Sequence, residues 1–368
     1  MSKHIVIDAR NQRSSTGRYT ARLIDHLQAI DTANRYTILV EQKDEWQPSS
    51  DNFQRVDADY QQFSFNPLDQ IKFAWLLYRL KPGLVHFTMT QQPLLYFGKI
   101  VTTTHDLTML RYTRPSRFHP IIHKIGSLLY RFLFWWSHKK SNRIIVPTRF
   151  VEQDVVSLHP FTKERLVVTY EATEPPLPVE TKPLDGVNKP FIMHVGAPFP
   201  HKNIKRLLEA FELLKNNHSR LQLVLPGKIK GEFKKDFSGW LNQNSQKYSV
   251  IVPGFVTDEE LKWLYENAEA YVLPSLSEGF GLPGLEAMAH SCPLVSSNAT
   301  CLPEVYGAAA HYFDPSNTAE MAEKIDEVIS DKQLQATLIK RGHKQLEKYS
   351  WRRMAEETLD VYRSVLQK

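Results

Sequence analysis

The sequence is poor in cysteine and has no long hydrophobic run, and each shortage excludes a class of protein. Cys292 and Cys301 are the only cysteines among 368 residues, so a disulfide framework is excluded and a reducing intracellular compartment is expected. The sequence contains no stretch of about 18 uninterrupted apolar residues, so no membrane-spanning helix is expected. The apolar run at residues 5–7 is far below the core of a secretory signal peptide. These shortages predict a cytoplasmic location.

The chain is long enough for two domains and carries an excess of positive charge. Its 368 residues exceed the roughly 100–200 residues of a typical domain. Charged residues make up 23%, the share of an ordinary globular protein, which excludes a disordered chain. The formal charge of +6 allows an anionic partner such as a nucleotide diphosphate or an acidic lipid. Nucleic acid is not an expected partner, because no recognised binding module accompanies the charge.

Short apolar runs alternate with helical patterns along the whole chain. After a β-rich run at residues 4–8, Tyr19, Leu23 and Leu27 have the spacing of a helix over 18–30. The same alternation predicts strands at residues 36–40, 84–87, 100–103, 143–146, 191–195, 221–225, 249–252, 270–274 and 294–297, and helices at 68–80, 119–137, 204–216, 258–268, 283–290, 318–330 and 354–366. Thr257 and Glu260 form a capping-box pattern before one of these helices. The alternation favours an α/β fold with parallel sheets covered on both faces.

A proline-rich stretch divides this pattern into two halves. Four prolines lie between residues 173 and 183 in a polar context that is typical of an interdomain linker. We therefore predict α/β domains at 1–172 and 191–348, joined by a linker at 173–190. Parallel sheets bind ligands at the carboxyl ends of their strands, so a site is expected in a cleft between the halves.

The most informative stretch is the strand, loop and helix pattern of residues 270–288. Glu278 lies in the predicted loop and Glu286 about one turn into the helix. Gly279 and Gly281 allow close backbone approach, and the helix start offers free N–H donors, so this loop can seat a diphosphate. The two carboxylates suit sugar hydroxyls better than phosphate. The alternative is a solvated loop glutamate and a helix-start glutamate favoured by the dipole.

This stretch resembles the signature of glycosyltransferase family 4, in which two glutamates are separated by seven residues. The resemblance implies a GT-B fold, with two Rossmann-like domains facing across a cleft and the last segment, 349–368, packing back on the first domain. It also implies that Glu278 contacts the donor sugar and that Glu286 holds the ribose hydroxyls. The backbone between them would contact the sugar and the phosphates, at Gly279, Phe280, Gly281 and Leu282.

The opening of the second half, residues 191–203, is also similar to this family. The likeness implies that Gly196 borders the donor and that Lys202 places its ammonium on the diphosphate, where it stabilises the departing nucleotide. Many members have an arginine immediately after this glycine, whereas this chain has Ala197, so a second cation would have to come from elsewhere. The alternative for Lys202 is a surface lysine at a helix start.

Residues 252–258 resemble the family segment whose backbone lies along the nucleotide base. The resemblance implies that the base is contacted at Gly254, Phe255 and Val256. The alternative is a plain loop between a strand and a helix.

Two segments of the first half resemble parts of the family that face the donor. Residues 8–19 are similar to an N-terminal loop with two glycines, of which this chain keeps Gly17 and has Ser15 at the earlier place. His105 follows the β-rich run 100–104 and resembles a strand-end histidine that reaches the donor sugar. The alternative is a structural histidine, the more common role of a lone one.

The predicted chemistry uses neither a metal nor a cofactor. No Asp-x-Asp metal motif is expected at a strand end, so the leaving diphosphate would be stabilised by Lys202, a helix start and backbone amides. The family implies retention of anomeric configuration, with a phosphate oxygen helping to take the acceptor proton. The predicted catalytic residues are His105, Lys202 and Glu278.

Residues 121–143 mix aromatic and basic side chains, including Trp135, Trp136, Lys139 and Lys140. Such a helix can lie in a lipid interface. This interpretation predicts peripheral membrane contact on the cytoplasmic face and a lipid-linked acceptor. The alternative is an ordinary helix whose apolar face packs on the sheet.

Taken together, the sequence predicts a retaining hexosyltransferase that moves a sugar from a GDP- or UDP-linked donor to a glycan or lipid-linked acceptor. A mannosyl donor on GDP is the first choice. A nucleotide-sugar epimerase or a phosphorylase of the same fold is the enzymatic alternative, the phosphorylase being disfavoured by the short chain. The other alternative is an inactive scaffold subunit, which Ala197 motivates and which the joint presence of Lys202, Glu278, Glu286 and His105 opposes.

Overall fold

The computed structural model describes residues 2–12, 16–58, 66–112, 120–176, 178–227 and 249–367. The side chains of residues 120–123 and the loop residue Ser15 lie outside this description. Contacts between Cα atoms divide the chain into two compact units. The first unit comprises Met1–Leu107, Pro120–Glu171 and Ser350–Lys368, and the second comprises Thr108–His119 and Ala172–Tyr349.

Each unit is built on a sheet in which neighbouring strands are parallel. The strands of the first unit are β1 (His4–Asp8), β2 (Arg35–Val40), β3 (Phe53–Asp57), β4 (Leu84–Phe87), β5 (Ile100–Thr103), β6 (Arg143–Val146) and β7 (Leu166–Val168). They are arranged in the order β3-β2-β1-β4-β5-β6-β7. The strands of the second unit are β8 (Phe191–Met193), β9 (Gln222–Pro226), β10 (Val250–Gly254), β11 (Ala270–Leu273), β12 (Leu294–Ser297) and β13 (Ala310–Phe313), in the order β10-β9-β8-β11-β12-β13.

Helices connect the strands, as parallel sheets require. In the described residues of the first unit they are α1 (Gly17–Ile30), α2 (Pro67–Leu80), α4 (Pro120–Lys140), α5 (Arg149–Leu158) and α12 (Trp351–Leu366). Those of the second unit are α3 (Thr108–Arg111), α6 (Ile204–Leu214), α7 (Asp258–Asn267), α8 (Leu282–Ala289), α9 (Leu302–Tyr306), α10 (Thr318–Ser330) and α11 (Lys332–Leu346). None of the described helices is long and apolar enough to cross a bilayer.

The core of the first unit lies on both faces of its sheet. Ile5, Val6 and Ile7 of β1 are fully buried, because a central parallel strand has apolar neighbours above and below. The last helix, α12, packs against α1, and the Oη atom of Tyr362 lies 2.6 Å from Nδ1 of the buried His86. The C-terminal segment therefore belongs to the first unit.

The core of the second unit is formed by its sheet with α6 and α10, which pack against each other. Phe211 on α6 and Ile325 on α10 are both fully buried. The predicted capping box at α7 is confirmed. Thr257 Oγ1 accepts from the Glu260 amide at 3.3 Å, and a Glu260 carboxylate oxygen accepts from the Thr257 amide at 3.0 Å.

The structure contains elements that were not predicted, namely α3, β3, α5, β7, α9, β13 and α11. The strand β3 lies at a sheet edge, where a half-polar pattern is tolerated. It ends at Asp57, the first residue of Asp57-Ala58-Asp59, so the expectation that no Asp-x-Asp motif follows a strand is wrong. Oδ1 of Asp57 accepts from Nε of Arg55 at 2.8 Å, and Asp59 lies outside the described residues.

The first unit breaks off after Glu171 and resumes at Ser350, and residues 108–112 group with the second unit. The helix predicted at 119–137 is α4, which continues through its basic end to Lys140.

Candidate active site

An ion pair joins the two loops that follow β8 and β11 in the second unit. Nζ of Lys202 donates to Oε1 of Glu278 at 2.7 Å, and the side chains are 19% and 12% exposed. Oε1 of Glu278 also accepts from Ser275 Oγ at 2.6 Å. Because β8 and β11 are neighbours in the sheet, their carboxyl-end loops meet at one edge. The structure thus brings together Lys202 and Glu278.

Asn203 links the same two loops through a side-chain hydrogen bond. Its backbone is left-handed, with φ of 58°, and its Nδ2 donates to the carbonyl oxygens of Pro274 at 3.1 Å and Pro315 at 2.8 Å. The Leu276 amide donates to the His201 carbonyl at 2.7 Å. Asparagine is one of the few residues that adopt this conformation readily. The Lys202–Glu278 pair therefore rests on loops that are cross-linked by backbone and amide hydrogen bonds.

The charge state of Glu278 follows from these contacts. Burial disfavours its carboxylate form, but the charge and hydrogen bond of Lys202 and the hydroxyl of Ser275 outweigh it and lower the pKa of Glu278. Glu278 is therefore a carboxylate at neutral pH, able to accept hydrogen bonds and unable to donate a proton. Its backbone amide donates to Thr300 Oγ1 at 3.2 Å.

A strained turn leads from Glu278 into α8. Gly281, the residue before the helix, has φ of +90°, and Gly284 lies in the first turn. A Cβ at either glycine would collide with the ring end of the buried Tyr306, whose hydroxyl donates to the Gly281 carbonyl. Pro283 occupies the first turn, where its missing N–H does no harm. Tyr306 thus fixes the start of α8, and this role of Tyr306 was not evident from the sequence pattern.

Three other predicted residues of this loop are placed in different environments. Gly279 is buried, and the side chain of Phe280 is 4% exposed and meets Tyr349 edge-on at 5.4 Å between ring centroids. Leu282 is the first residue of α8 and is half-buried. The side chain of Phe280 therefore packs in the core, which leaves only its backbone for ligand contact.

Glu286 lies in the middle of α8 and is half-buried. Its Oε2 accepts from the Tyr265 hydroxyl of α7 at 3.1 Å. Burial, followed by the charge of Glu286, raises the pKa of Tyr265 well above its ordinary value, so this phenol stays protonated as a donor. Tyr265 orients the carboxylate of Glu286, and it was not recognised from the sequence.

Glycines with positive φ follow three adjacent strands of the second sheet. Gly196 after β8, Gly227 after β9 and Gly254 at the end of β10 have φ of 141°, 145° and 79°. The Gly196 amide donates to the Pro226 carbonyl at 3.0 Å, and the Gly227 amide donates to the Gly254 carbonyl at 2.7 Å. A Cβ on Gly227 would lie 2.6 Å from the Gly196 carbonyl oxygen. These residues form a glycine ledge. Gly196 and Gly254 were predicted from the sequence, whereas Gly227 gave no recognisable signal.

Phe255 and Val256 continue the chain beyond this ledge. The side chain of Phe255 is 76% exposed, and Val256 is half-buried. An exposed aromatic ring next to a glycine offers an apolar face for a planar ligand. Both residues are positioned by the end of β10 and the capped start of α7.

His194 lies at the end of β8 beside the ledge and was missed by the sequence analysis. Its Nδ1 lies 2.9 Å from the Val272 carbonyl, which can only accept, so Nδ1 carries the proton. Burial lowers the pKa of His194 to about 4, so the ring is neutral. Its buried Nε2 has no partner among the described residues and lines a small cavity with Gly196 and Gly227.

In the first unit, His105 lies at the carboxyl end of β5 and bridges groups that follow β4 and β7. Its Nε2 lies 3.1 Å from the Thr88 carbonyl and its Nδ1 lies 3.1 Å from Oε1 of Glu171. Both partners are acceptors, so both ring nitrogens donate when the imidazole is protonated. Burial opposes that charge, but the hydrogen bond and charge of Glu171 raise the pKa of His105. The edge of the Tyr19 ring supports the imidazole at 4.9 Å between ring centroids.

Gly17 is the first residue of α1 and is buried. A Cβ there would lie 1.9 Å from the Gln12 carbonyl oxygen, so only glycine allows the preceding loop to cross this position. The earlier place of the predicted two-glycine loop, Ser15, lies outside the described residues. Gly17 and His105 both belong to the first unit.

No group of three or more histidine, cysteine, aspartate or glutamate side chains among the described residues could hold a metal ion. Both cysteines are free and buried, and Cys301 Sγ lies 3.3 Å from the Glu278 carbonyl.

The fold and this site define a class of protein, and comparison with known families agrees. The model described as glycosyl transferases group 1 matches residues 181–345, and the model described as glycosyltransferase family 4 matches residues 16–175. The chain has the GT-B fold and is a glycosyltransferase. It belongs to glycosyltransferase family 4.

Curated relatives include several mannosyltransferases. The chain is 28% identical over 309 residues to O-antigen chain mannosyltransferase B of Escherichia coli, a match that covers 79% of this chain and 76% of that protein. It is 25% identical over 250 residues to O-antigen chain mannosyltransferase RfbU of Salmonella typhimurium, covering 65% and 69%. The serotype-specific mannosyltransferase WbdA of Escherichia coli is 31% identical over 179 residues, which is 48% of this chain and 22% of that protein.

Solved structures share the fold at low sequence identity. A sucrose-phosphate synthase from Thermosynechococcus elongatus superposes with a TM-score of 0.73 at 16% identity, over 99% of both chains. Anabaena HepE in complex with UDP and glucose superposes with a TM-score of 0.71 at 16% identity, over 99% of this chain and 100% of that one. These likenesses establish the fold along the whole chain.

Proposed function

We propose that this glycosyltransferase is a retaining mannosyltransferase that takes its sugar from a nucleotide diphosphate donor, with GDP-mannose first and UDP-linked glucose next. The acceptor is a glycan or a lipid-linked glycan. The observation that carries the proposal is the Lys202–Glu278 ion pair at the carboxyl edge of the second sheet. Similarity to O-antigen mannosyltransferases supports the choice of sugar and acceptor.

The pair sets a cation next to a carboxylate, which suits a sugar diphosphate. The Lys202 ammonium stabilises negative charge on the diphosphate as the bond to the sugar breaks. The carboxylate of Glu278, held ionised by its surroundings, accepts hydrogen bonds from sugar hydroxyls. The positive end of the α8 dipole adds to the stabilisation of the phosphates.

The nucleoside is assigned to the glycine ledge and α8. The ledge, formed by Gly196, Gly227 and Gly254, lets a flat base approach the backbone closely, and the exposed ring of Phe255 stacks on it. Glu286, oriented by Tyr265, accepts from the ribose hydroxyls. This assignment uses side chains and backbone of the second unit alone.

The reaction exchanges one bond at the anomeric carbon for another. The bond from that carbon to the β-phosphate oxygen breaks, and the acceptor hydroxyl oxygen forms its bond on the same face. The proton of the acceptor passes to the departing phosphate oxygen, so atoms and charges balance. Both ring nitrogens of protonated His105 donate within the first unit, to Glu171 and to the Thr88 carbonyl, and Glu171 favours this charged form.

We propose that this chemistry proceeds without a metal or a separate cofactor, since Lys202 and the α8 N-terminus supply positive charge. Turnover should then be unchanged by a chelator, and a strict requirement for Mg²⁺ or Mn²⁺ would reject this part of the proposal. A cytoplasmic location fits a nucleotide-sugar donor and two free, buried cysteines.

The decisive experiment measures nucleoside diphosphate release by the purified protein across GDP-mannose, GDP-fucose, UDP-glucose and UDP-galactose. We expect turnover with GDP-mannose and a fall of about 10²-fold for Lys202→Ala, the usual cost of one transition-state donor. Glu286→Ala should weaken donor binding. Lys182→Ala is the matched control, because Lys182 also pairs with a glutamate of this unit, Glu260, at 3.0 Å.

Several outcomes reject parts of the proposal. Equal turnover of Lys202→Ala, Lys182→Ala and the unmodified protein would remove Lys202 from the site. Turnover with another donor alone would replace mannose as the sugar. Failure to bind any nucleotide would favour a scaffold over an enzyme, and an inverted anomeric configuration in the product, seen by NMR, would reject retention.

A further inference from the structure

A buried histidine of the first unit, His86, has no part in the chemistry described above. It lies on β4, between β1 and β5 in the sheet, and is fully buried. Burial, followed by the charge of His105, lowers the pKa of His86 to about 3, so its ring is neutral. A neutral imidazole donates through one nitrogen and accepts through the other. The partners of His86 therefore decide which nitrogen carries the proton.

Both partners of His86 are hydroxyl groups. Nδ1 lies 2.6 Å from Oη of Tyr362 on α12, and Nε2 lies 2.8 Å from Oγ1 of Thr103 on β5. Thr103 Oγ1 lies in turn 3.0 Å from Oη of Tyr19 on α1. All four side chains are at most 2% exposed. They form a continuous hydrogen-bonded chain that runs from the last helix to the first.

The other end of this chain returns to α12. The Tyr19 hydroxyl also hydrogen-bonds to the hydroxyl of Thr358, which is fully buried and lies one helical turn before Tyr362. Thr358 Oγ1 donates to the Met354 carbonyl at 2.8 Å. Positions 358 and 362 share one face of the helix. The same face of α12 thus holds both ends of the chain.

The Met354 carbonyl sets the direction of the hydrogen bonds, because it can only accept. Thr358 directs its proton to that carbonyl, so its oxygen accepts from the Tyr19 hydroxyl. Thr103 then donates to Tyr19, and Nε2–H of His86 donates to Thr103. The lone pair of Nδ1 accepts from the tyrosine hydroxyl of α12. His86 is therefore assigned the tautomer with its proton on Nε2.

The chain meets His105 through the ring of Tyr19. The two rings pack edge-on, with 4.9 Å between centroids and 82° between their planes. The hydroxyl of Tyr19 is held by Thr103 and Thr358, which fixes the ring at its far end. An imidazole that donates from both nitrogens to fixed acceptors must keep one orientation, and Tyr19 packs against it.

We propose that Tyr19 is a positioning residue for His105 and that the chain through His86 anchors Tyr19 to α12. The last helix thereby contributes to the active site through hydrogen bonds that cross the core of the first unit. This role rests on the proposed function, in which His105 belongs to the active site. The tautomer of His86 does not depend on that function.

The first test measures the tautomer of His86 by long-range proton–nitrogen correlation spectra of the full chain, with nitrogen-15 in its histidines. We expect a protonated Nε2 and an unprotonated Nδ1 at neutral pH. The signals of His86 are identified by their loss in His86→Gln. A protonated Nδ1 in the unmodified protein would overturn the direction assigned to the chain.

Two variants open the chain at different places. Tyr19→Phe keeps the ring beside His105 and removes its hydroxyl, and Thr358→Val keeps the shape of threonine and removes the hydroxyl on α12. Either change allows Thr103 to donate to Nε2 of His86, so a mixture of tautomers should appear. Thr358→Ser, which keeps the hydroxyl, should restore the single tautomer.

Positioning is measured at His105 itself. A loosened ring weakens its hydrogen bond to Glu171, so the pKa of His105, followed in the same spectra, should fall in both Tyr19→Phe and Thr358→Val. In both variants kcat with GDP-mannose should fall about fivefold, the equivalent of one neutral hydrogen bond. KM for the donor should change less than about twofold, because the donor loops belong to the second unit.

Tyr36→Phe is the matched control. Tyr36 is a 1% exposed tyrosine of the same unit, on β2, and its hydroxyl donates to Oδ2 of Asp31 at 2.5 Å. The variant loses a buried phenol hydrogen bond, as Tyr19→Phe does. It should nevertheless leave the tautomer of His86, the pKa of His105 and kcat unchanged.

Other outcomes overturn the proposal. An unchanged pKa of His105 together with an unchanged kcat in Tyr19→Phe and Thr358→Val would remove the positioning role. Equal losses in Tyr36→Phe would assign the effect to general packing of the unit. Absence of turnover by the unmodified protein with every donor would reject the proposed function instead, and the pKa of His105 would still decide the role of Tyr19.

Discussion

The Lys202–Glu278 pair of the second unit and the His105–Glu171 pair of the first both lie beside the carboxyl ends of strands, and the two pairs differ in their cation. In the second unit Lys202 meets Glu278 at 2.7 Å, and in the first His105 meets Glu171 at 3.1 Å. Both pairs are largely buried, with side chains no more than 19% exposed. The shared position follows from the parallel sheets, and the difference lies in the chemistry of lysine and histidine.

The charge of the histidine pair depends on pH within the physiological range. Lysine ordinarily loses its proton near pH 10.4 and histidine near pH 6.5. Glu171 raises the pKa of His105, and both ring nitrogens face acceptors. The His105–Glu171 pair of the first unit thus carries a charge that depends on pH.

The largest expected effect comes from removing the charge of Glu278 while keeping its size. Glu278→Gln should lower kcat/KM with GDP-mannose by about 10²- to 10³-fold, since the variant loses its charged acceptor and leaves Lys202 unpaired. The matched control is Glu260→Gln, which alters a lysine-paired glutamate and keeps a glutamine able to serve the capping box. Similar kinetics in both variants would show that the buried pair has no special role.

The next effect concerns the loops that carry the lysine pair. Asn203→Ala should lower the free energy of unfolding by about 2 kcal/mol, because the Pro274 and Pro315 carbonyls lose a buried donor and alanine disfavours φ of 58°. Urea unfolding measures this change. Asn203→Gly permits the left-handed backbone but lacks the side-chain amide. Its free energy of unfolding should therefore lie between those of Asn203→Ala and the unmodified protein. Identical stability of all three proteins would contradict the role of Asn203.

The histidine pair predicts a pH-dependent stability. The folded pKa of His105 is raised above its ordinary value of 6.5. The stabilisation is therefore complete below that value and is lost as the pH rises through the folded pKa. At about pH 5.5, His105→Gln should cost roughly 1.5–3 kcal/mol of unfolding free energy, the range for a hydrogen bond to a charged group. The cost should be smaller at about pH 8.5.

Urea unfolding of His105→Gln and of the unmodified protein at the two pH values measures this difference. Lys202→Met is the comparison in the second unit, where the pair contains no histidine, and its cost should change less over the same range. A cost for His105→Gln that is independent of pH would show that His105 is not held as a cation.

The smallest effect concerns the hydroxyl that supports Glu278. Ser275→Ala removes a 2.6 Å hydrogen bond to the carboxylate and should raise the pKa of Glu278. A lowered folded pKa keeps the carboxylate available until the pH falls through it, so the acid limb of activity should move upward in the variant. Activity near neutral pH should change less than about threefold, since Lys202 remains. A profile superimposable on that of the unmodified protein would remove Ser275 from the site.

Much of the fold could be predicted from local patterns. Strands β1, β4, β5, β6 and β12 have the predicted bounds, because short β-rich runs ending in turns are a local signal. The strands β3 and β13 were missed because edge positions tolerate polar residues. Helix α11 was missed because it follows α10 almost without interruption.

The candidate site was predicted in part. Lys202 and Glu278 were both named, and the structure pairs them. Their supporting residues, Ser275, Asn203 and Tyr306, come from separate positions in the chain and gave no recognisable signal. Glu171 was missed in the same way, because it lies 66 residues along the chain from its partner His105. Spacing along the chain reveals which residue types are present, but only folding shows which ones touch.

The sequence by itself determined two parallel α/β sheets and the motif that carries Glu278 and Glu286, because strand, loop and helix signals act over a few residues. Only the tertiary structure decided that Lys202 contacts Glu278 and that Glu171 holds His105. These contacts join residues that are distant in sequence. Their geometry depends on sheet order and burial, which no local pattern encodes.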